Sequence, residues 1–117
     1  MDSKLRDEVR VLHANVCKGL ADPNRILLLY SLATNPCTVT ELTELTELPQ
    51  PTVSRHLRIL RERGMVTAKR NGQSVFYDLA DRRIIKALDL MRAVMADNLH
   101  SRGQLAESVR DVLTSQY

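Results

Sequence analysis

Residues 49–77 have the sequence PQPTVSRHLRILRERGMVTAKRNGQSVFY, and this stretch decides the fold. Pro51 suits the first turn of a helix, because that turn does not need its missing N–H and its fixed φ is already helical. Val53, Leu57 and Leu60 follow at spacings of four and three, which places them on one helical face. Gly64 then supplies the residue type that commonly ends a helix. The pattern predicts a helix over about residues 51–63 with one buried face.

Two β-prone runs come next, at residues 65–69 and 74–79, and they are joined by Arg70, Asn71, Gly72 and Gln73. An Asn-Gly pair between such runs is a strong signal for a β-hairpin. The sequence therefore predicts a two-stranded wing over about residues 65–79, directly after the helix.

The second face of helix 51–63 is polar and cationic, and it carries Gln50, Thr52, Ser54, Arg55 and Arg58. Short amide, hydroxyl and guanidinium groups near a helix N-terminus reach base edges in the major groove, whereas longer cations anchor phosphates. This division of side chains predicts a recognition helix for double-stranded DNA.

The charge of this stretch supports that prediction. Residues 49–76 contain six Lys and Arg but one acid, Glu62, a net charge of +5, whereas the whole chain has +3 and the remainder therefore −2. A basic segment on a mildly acidic body gives an oriented surface for a polyanion. Two alternatives are an ordinary amphipathic helix with a solvated face and a winged-helix module that binds protein. The second would require an exposed apolar or acidic face on this helix.

The composition indicates one mainly helical domain. At 117 residues the chain can bury a core, and with 3% aromatic residues and no Trp that core must be built from aliphatic side chains and Met. No apolar run reaches membrane-spanning length and the polar start MDSKLRDEVR is unlike a signal peptide, so we expect a cytoplasmic protein. Motifs for phosphate loops, GxSxG, HExxH and CxxC are absent from the sequence, so we expect neither enzymatic activity nor a cofactor.

Helical patterns precede the central stretch. The first helix is predicted over about residues 4–20 from the spacing of Leu5, Val9, Leu12, Val16 and Leu20. Asp22-Pro23 is a start signal for a second helix, which should end before Asn35-Pro36. Thr38 and Glu41 fit a capping box for a third helix, in which the repeat TELTELTEL places Leu42 and Leu45 on one side and lets Leu48 fold under the next turn.

A wide apolar stripe follows the hairpin over about residues 81–114. Its members are Ile84, Ile85, Leu88, Met91, Val94, Met95, Leu105, Val109, Val112 and Leu113. A small domain has little core left for so many apolar positions. We therefore expect a homodimer through helices 4–20 and 81–114, whose two-fold symmetry would match a palindromic operator.

From about Val16 to Leu88 the chain resembles the ArsR/SmtB family of bacterial winged-helix repressors. The motifs that carry the resemblance are CKGLADPNRILLLYSL, VTELTELTELPQPTVSRHLRILRERGMV and KRNGQSVFYDLAD, in the family's order and spacing. It implies an α+β, mainly α, winged helix-turn-helix homodimer that is released from operator DNA by a chemical signal.

The resemblance also implies roles for individual residues. It places Gln50, Ser54 and Arg55 at base-contacting positions, and the wing residues Lys69, Arg70 and Gln73 near the flanking backbone or minor groove. The chain departs from the family at Glu47, where the turn commonly has Gly, and at Pro49, where a capping Ser is common. A glutamate can enter the left-handed region at some energetic cost, so the local turn geometry is in question rather than the motif.

The ligands that form the family's metal sites are largely missing from this chain, so we expect no metal binding at those sites. On the C-terminal helix they follow Asp-x-His, ten residues, His, two residues, then His or Glu, and the matching positions are Asp81, Arg83, Val94 and Asp97. Two imidazoles are missing, which leaves no adequate ligand set for zinc. The third helix contains no cysteine, which removes the family's thiolate site.

Cys17 and Cys37 remain as effector residues, with three interpretations open. In the first, oxidation closes the two thiols into a disulfide or polysulfide bridge. His13, four residues before Cys17, and Cys37 of either protomer would complete three ligands for a thiophilic metal or metalloid. Both thiols would otherwise be small packing residues. Thiol redox or persulfide sensing is favoured over metal binding, and His56 either contacts phosphate or packs.

Overall fold

Over residues 1–115, which the structure describes, the computed structural model contains helices before and after one β-hairpin along the chain. The elements are α1 (Ser3–Leu12), a π-helical segment (His13–Cys17), α2 (Pro23–Ser31), α3 (Val39–Thr46), α4 (Gln50–Glu62), β1 (Val66–Asn71), β2 (Ser74–Leu79) and α5 (Arg83–Ser115). The chain divides into two compact units, Met1–Ile85 and a second that begins at Lys86. The first unit has the predicted winged helix-turn-helix architecture, with α3 and α4 followed by the wing.

The helix starts follow the side-chain caps predicted from the sequence. Asp22 accepts the Asn24 N–H at 2.8 Å before Pro23 opens α2. Thr38 Oγ1 accepts the Glu41 N–H at 3.2 Å, and the Glu41 carboxylate accepts the Thr38 N–H at 3.3 Å, which completes the capping box of α3. Each cap satisfies N–H groups that the first helical turn leaves without backbone partners, and contributes about 1 kcal/mol.

The core lies where α2, α3 and α4 pack together beneath the wing. Val53, Leu57 and Leu60, the predicted buried face of α4, are 0% exposed. Around them lie the other buried apolar residues, Leu28, Leu29, Leu32, Leu42, Met65, Val66 and Leu79. Of the two leucines that the repeat places on one side of α3, Leu42 is buried and Leu45 is exposed. A spacing of three residues leaves Leu45 about 60° around the helix from Leu42.

The wing forms with a shorter loop than predicted. In the antiparallel register Arg70 pairs with Val75 and Asn71 with Ser74, so β1 extends through two of the four residues that the sequence assigned to the loop. Gly72 and Gln73 alone make the turn, and Gly72 has φ +65°. A positive φ at the first of two loop residues is the pattern of a type II′ turn, whose twist matches the flanking strands.

The first helical stretch, residues 3–19, comprises α1 and the π-helical segment and is called helix 1 below. It is not a regular α-helix over its predicted length. It changes to π-helical hydrogen bonding at His13–Cys17 before continuing to Gly19. A π turn inserts one extra residue and disturbs the ladder of backbone hydrogen bonds. The guanidinium of Arg63, at the end of α4, donates to the carbonyl of Ala14 in this segment. The side chain thus ties helix 1 to the end of α4.

Apolar side chains remain uncovered on α1 and α5. None of the ten described residues of α1 is buried, and Leu5, Val9 and Leu12 are exposed. On α5 the exposed apolar residues include Leu90, Met91, Val94, Met95, Leu99, Val109 and Val112. The side chains of Leu105 and Leu113, which the sequence places on the same stripe, lie outside the described residues. No helix within residues 1–115 combines the length and apolar character needed to cross a bilayer.

Glu47 ends α3 in the left-handed region, with φ 58° and ψ 22°. A Cβ atom in this conformation crowds the following carbonyl at a cost of roughly 1–2 kcal/mol, which glycine avoids. The turn into α4 therefore forms as in a helix-turn-helix, with backbone strain at this position.

Replacing Glu47 with Gly should raise the free energy of unfolding by roughly 0.5–1 kcal/mol, because relief of the strain exceeds the added entropy of the unfolded chain. Urea denaturation followed by circular dichroism measures the change. Glu44→Gly is the matched control, since Glu44 is exposed inside α3 and its replacement should lower the stability by about 1 kcal/mol. A Glu47→Gly protein that is less stable than the wild type would show that no strain is relieved.

Candidate nucleic-acid interface

The outer face of α4 carries the side chains that the sequence assigned to DNA contact. Gln50, Ser54, Arg55 and Arg58 are exposed, whereas Thr52 is half-buried. Since Val53 and its buried neighbours fix the opposite face in the core, this face is held towards solvent without movement of the backbone. The arrangement presents short polar groups at the N-terminal end and guanidinium groups farther along.

Arg58 has an ion pair within its own helix. Its Nε donates to the Glu62 carboxylate at 3.1 Å, and both side chains are largely exposed. Exposed pairs of this kind contribute between zero and about 1 kcal/mol. A phosphate can therefore replace Glu62 as the partner of Arg58 at little energetic cost.

The wing presents Lys69, Arg70 and Gln73, all exposed. Lys69 and Arg70 are adjacent on β1, so their side chains extend from opposite faces of the hairpin. Gln73 lies in the turn at its tip. The hairpin thus carries cations on both faces near its distal end.

An isolated β-bridge connects the wing to the start of α3. The Cys37 N–H donates to the Tyr77 carbonyl at 3.0 Å, and the Tyr77 N–H donates to the Cys37 carbonyl at 2.7 Å. The bridge fixes β2 relative to the helix-turn-helix. Both parts of the predicted DNA surface are therefore held in one unit of the chain.

The two cysteines have different environments. Cys37 is 2% exposed, and its thiol donates to the Asn35 carbonyl at 3.4 Å. Burial raises the pKa of the Cys37 thiol, and the nearby carboxylates of Glu41 and Asp78 raise it further. Cys17 is exposed in the π-helical segment of helix 1. The reagent-accessible thiol of a protomer is thus Cys17.

Within residues 1–115, no three His, Cys, Asp or Glu side chains lie close enough together to hold a metal ion. His13, Cys17 and Cys37 are accordingly not grouped in one protomer. At the position where the resemblance implies an imidazole, the Arg83 guanidinium pairs with the Asp81 carboxylate at 2.7 Å. The side-chain hydrogen bond from Arg83 lowers the pKa of Asp81 to about 2. The Asp81 carboxylate is therefore already paired with the guanidinium of Arg83.

His56 is buried, which settles the choice that the sequence left open in favour of packing. It is 5% exposed, and its Nδ1 lies 3.1 Å from Nη1 of Arg25. The same guanidinium donates to the carbonyls of Gly19 at 2.7 Å and Lys18 at 3.2 Å. Sequence reasoning did not find this cluster. The available signal was that His56 lies three residues after Val53 and therefore on the buried side of α4.

These features define the class of the protein, a winged helix-turn-helix domain with an exposed polar recognition helix and a cationic hairpin. Residues 22–68 match the family model for the bacterial regulatory protein, arsR family. The chain is 38% identical to the transcriptional regulator NmtR of Mycobacterium tuberculosis, over 65% of this chain and 63% of that protein. It is 35% identical to the biofilm growth-associated repressor of Agrobacterium fabrum, over 69% of each chain.

The chain therefore belongs to the arsR family of bacterial regulatory proteins, which confirms the resemblance found in the sequence. It spans about half to two thirds of the length of the first curated relatives that it matches. Among solved structures, the homodimeric winged helix-turn-helix DNA-binding domain of a possible ArsR-family regulator from Mycobacterium bovis is similar with a TM-score of 0.72. The identity is 25%, and the match covers 85% of this chain and 91% of that one.

Proposed function

We propose that this protein binds double-stranded operator DNA as a homodimer and represses transcription. The observation that carries the proposal is the division of α4 into a face with 0% exposure at Val53, Leu57 and Leu60 and an exposed polar face. An α-helix fits the major groove of B-DNA, where each base pair shows a distinct pattern of donors and acceptors. The names of two relatives, a transcriptional regulator and a repressor, support the proposal.

Each group on the surface has a role in this proposal. Gln50, Ser54 and Arg55 contact base edges, because they lie in the N-terminal half of α4, the part of a recognition helix that enters the groove. Arg58 exchanges Glu62 for a phosphate. Lys69 and Arg70 contact the backbone beside the groove, and these phosphate contacts supply affinity without sequence preference.

A homodimer accounts for the uncovered apolar residues. Leu5, Val9 and Leu12 on α1 and Met91 and Met95 on α5 are exposed in a single copy. Covering them with the same helices of a second copy removes this surface from water. A two-fold dimer then presents two α4 helices, which fit half-sites about 34 Å apart, one turn of DNA.

For the signal that controls binding, we favour thiol chemistry at Cys17 and Cys37 over a metal or metalloid at His13, Cys17 and Cys37. Cys17 is open to a reagent, and the backbone of Cys37 is paired with Tyr77 of the wing. A displacement of Cys37 would therefore be passed to the wing. A direct disulfide requires the two Cα atoms to approach within about 7 Å, in one protomer or across the dimer, whereas a polysulfide link spans more.

The first test compares a residue proposed to contact bases with a pair proposed to contact phosphates. Arg55→Ala should weaken binding to an operator selected from a random pool by about 1–3 kcal/mol and reduce the preference over random DNA. The control, Lys69→Ala with Arg70→Ala, should weaken both duplexes alike and lower the salt slope by about one per lost contact. Fluorescence anisotropy at several salt concentrations measures both. If Arg55→Ala weakens binding to both duplexes equally, Arg55 is a phosphate anchor. If the Lys69→Ala, Arg70→Ala protein keeps the salt dependence of the wild type, the wing does not contact DNA phosphates.

The dimer is tested by Met91→Asp. If Met91 lies in the interface, this change buries an unpaired carboxylate and should weaken the dimer by roughly 3 kcal/mol or more, over about 100-fold in Kd. Sedimentation equilibrium measures the change. Ala96→Asp is the matched control, because Ala96 is also exposed but lies about 140° around the helix from Met91. A Met91→Asp protein that keeps its dimer mass and melting temperature would place Met91 on a free surface.

The thiol hypothesis predicts that diamide or a persulfide lowers operator affinity and that a reductant restores it. Cys17→Ser or Cys37→Ser should each bind operator normally without responding, because either substitution prevents the bridge. Arsenite, tested in parallel, should leave the wild type unchanged. A response to arsenite that both variants lose would instead favour the metalloid site. Variants that respond as the wild type does would exclude both cysteines from the response.

A further inference from the structure

A buried polar cluster joins helix 1, α2 and α4 through Arg25 and His56. We propose that the hydrogen bond from Arg25 to neutral His56 positions α4 for operator DNA, so that protonation of His56 releases the operator. The inference rests on the proposed function, and it makes Arg25 and His56 positioning residues that act through α4.

The geometry fixes the protonation state of the imidazole. Arg25 Nη1 lies 3.1 Å from His56 Nδ1, and a guanidinium has donors but no acceptor. Nδ1 must therefore accept the hydrogen bond, which leaves the proton of the neutral ring on Nε2. On that side Asp22 Oδ2 lies 3.8 Å from Nε2.

Protonation of Nδ1 would destroy this contact. It would place an N–H against another N–H donor and set two positive groups about 3 Å apart, at a side chain that is 5% exposed. Burial lowers the pKa of His56; Arg25 on α2 and Arg55 on α4 lower it further, whereas Asp22 at the start of α2 opposes them. The other oxygen of Asp22 already accepts the Asn24 N–H at 2.8 Å. The neutral imidazole is therefore the form that fits the cluster.

The cluster controls where α4 lies relative to helix 1. Arg25 binds two carbonyls at the end of helix 1, those of Lys18 and Gly19, with the same guanidinium that binds His56. Gly19 is packed so closely that a Cβ atom there would lie 2.9 Å from Met65 Sδ. Because helix 1 belongs to the proposed dimer interface, the Arg25–His56 contact relates the recognition helix to the dimer axis. Its loss would alter the half-site geometry while leaving the cations of the wing in place.

The direction of the pH effect follows from the lowered pKa. An unfolded chain has a histidine pKa near 6.5 and takes up a proton more readily than buried His56. The stabilisation from neutral His56 is therefore complete above about pH 6.5, and it is lost as the pH falls towards the folded pKa. Asp81 has a pKa of about 2, so its pair with Arg83 persists throughout this window.

Operator affinity should decrease below about pH 6.5, by at most about tenfold per pH unit for each proton taken up, and a dimer has two His56 residues. Random DNA should bind no more weakly, because protonation adds positive charge near the phosphates. Fluorescence anisotropy from pH 8 to pH 5 at constant ionic strength measures both duplexes. A wild type whose preference for operator is constant over this range would overturn the proposal.

Two variants separate His56 from other titrating groups. In His56→Asn an amide oxygen replaces Nδ1 as acceptor for Arg25 but does not titrate, so operator binding at pH 7.5 should persist and its acid loss should be reduced. His100→Asn is the control, because His100 is exposed on α5, and it should lose operator affinity as the wild type does. An equal acid loss in His56→Asn and the wild type would refute the assignment to His56.

A third measurement needs neither a folded variant nor DNA. Nuclear magnetic resonance of the wild type, with its three histidines assigned by through-bond correlation of each ring to its backbone, should show His56 protonating below pH 6.5 with concerted shifts in α4 and helix 1. Titration at or above pH 6.5, or shifts confined to the ring, would overturn the proposal. Absence of operator binding at pH 7.5 would instead refute the proposed function, whereas pH-independent operator binding would refute this inference alone.

Discussion

The burial of one face of α4 is the constraint on which the rest of the structure depends. Val53, Leu57 and Leu60 have no exposed surface, and each such side chain contributes roughly 1.5–3 kcal/mol when buried. Their sum is comparable to the whole stability of a small domain. A rotation of α4 by one residue, about 100°, would expose Val53 and turn Ser54 into the core. The energy that folds the first unit therefore also decides which side chains α4 presents to solvent.

Apolar burial does not by itself fix the angle and height of α4, because it has no direction and tolerates sliding. Hydrogen bonds do have direction. Arg25 connects the middle of α4 to the end of helix 1 and to α2, and Arg63 connects the end of α4 to the π-helical segment of helix 1. The helical segment proposed for dimerisation and the helix proposed for DNA recognition are thus joined at two points. This arrangement gives a physical path between the proposed dimer interface and the proposed DNA surface.

The sequence predicted the features that depend on neighbouring residues. Asp22 with Pro23, and Thr38 with Glu41, act on backbone groups within three positions, so their capping roles were visible in the order of residues alone. The spacing of Val53, Leu57 and Leu60 likewise sufficed to predict the buried face of α4. The first residue of α4 and the extent of the hairpin were each misplaced by only one or two residues.

Features that depend on distant partners could not be predicted in this way. Arg25 and His56 are 31 residues apart, and Arg63 and Ala14 are 49 apart, so no local pattern pairs them. The π-helical segment could not be predicted for the same reason. Its altered backbone hydrogen bonding is accompanied by the contact from Arg63, which is distant in the sequence. Leu45 shows a further limit, because it lies on the same side of α3 as the buried Leu42 and is nevertheless exposed. Local periodicity predicts which residues share a face but not how far the opposing surface extends.

The distribution of charge limits how DNA can approach the molecule. Residues 49–76 have a net charge of +5 and the rest of the chain −2. On α3, adjacent to α4, Glu41 and Glu44 are exposed, and Glu47 lies at the turn between the two helices. At physiological ionic strength charges interact over about 8 Å, so these carboxylates repel a phosphate near α3 but act weakly on one at the wing. The acidic side of the helix-turn-helix therefore disfavours approach through α3, and within the helix-turn-helix and wing it confines the attraction to α4 and the wing. Confinement of this kind orients a polyanion before any base is contacted, because an approach in another orientation lacks the same attraction.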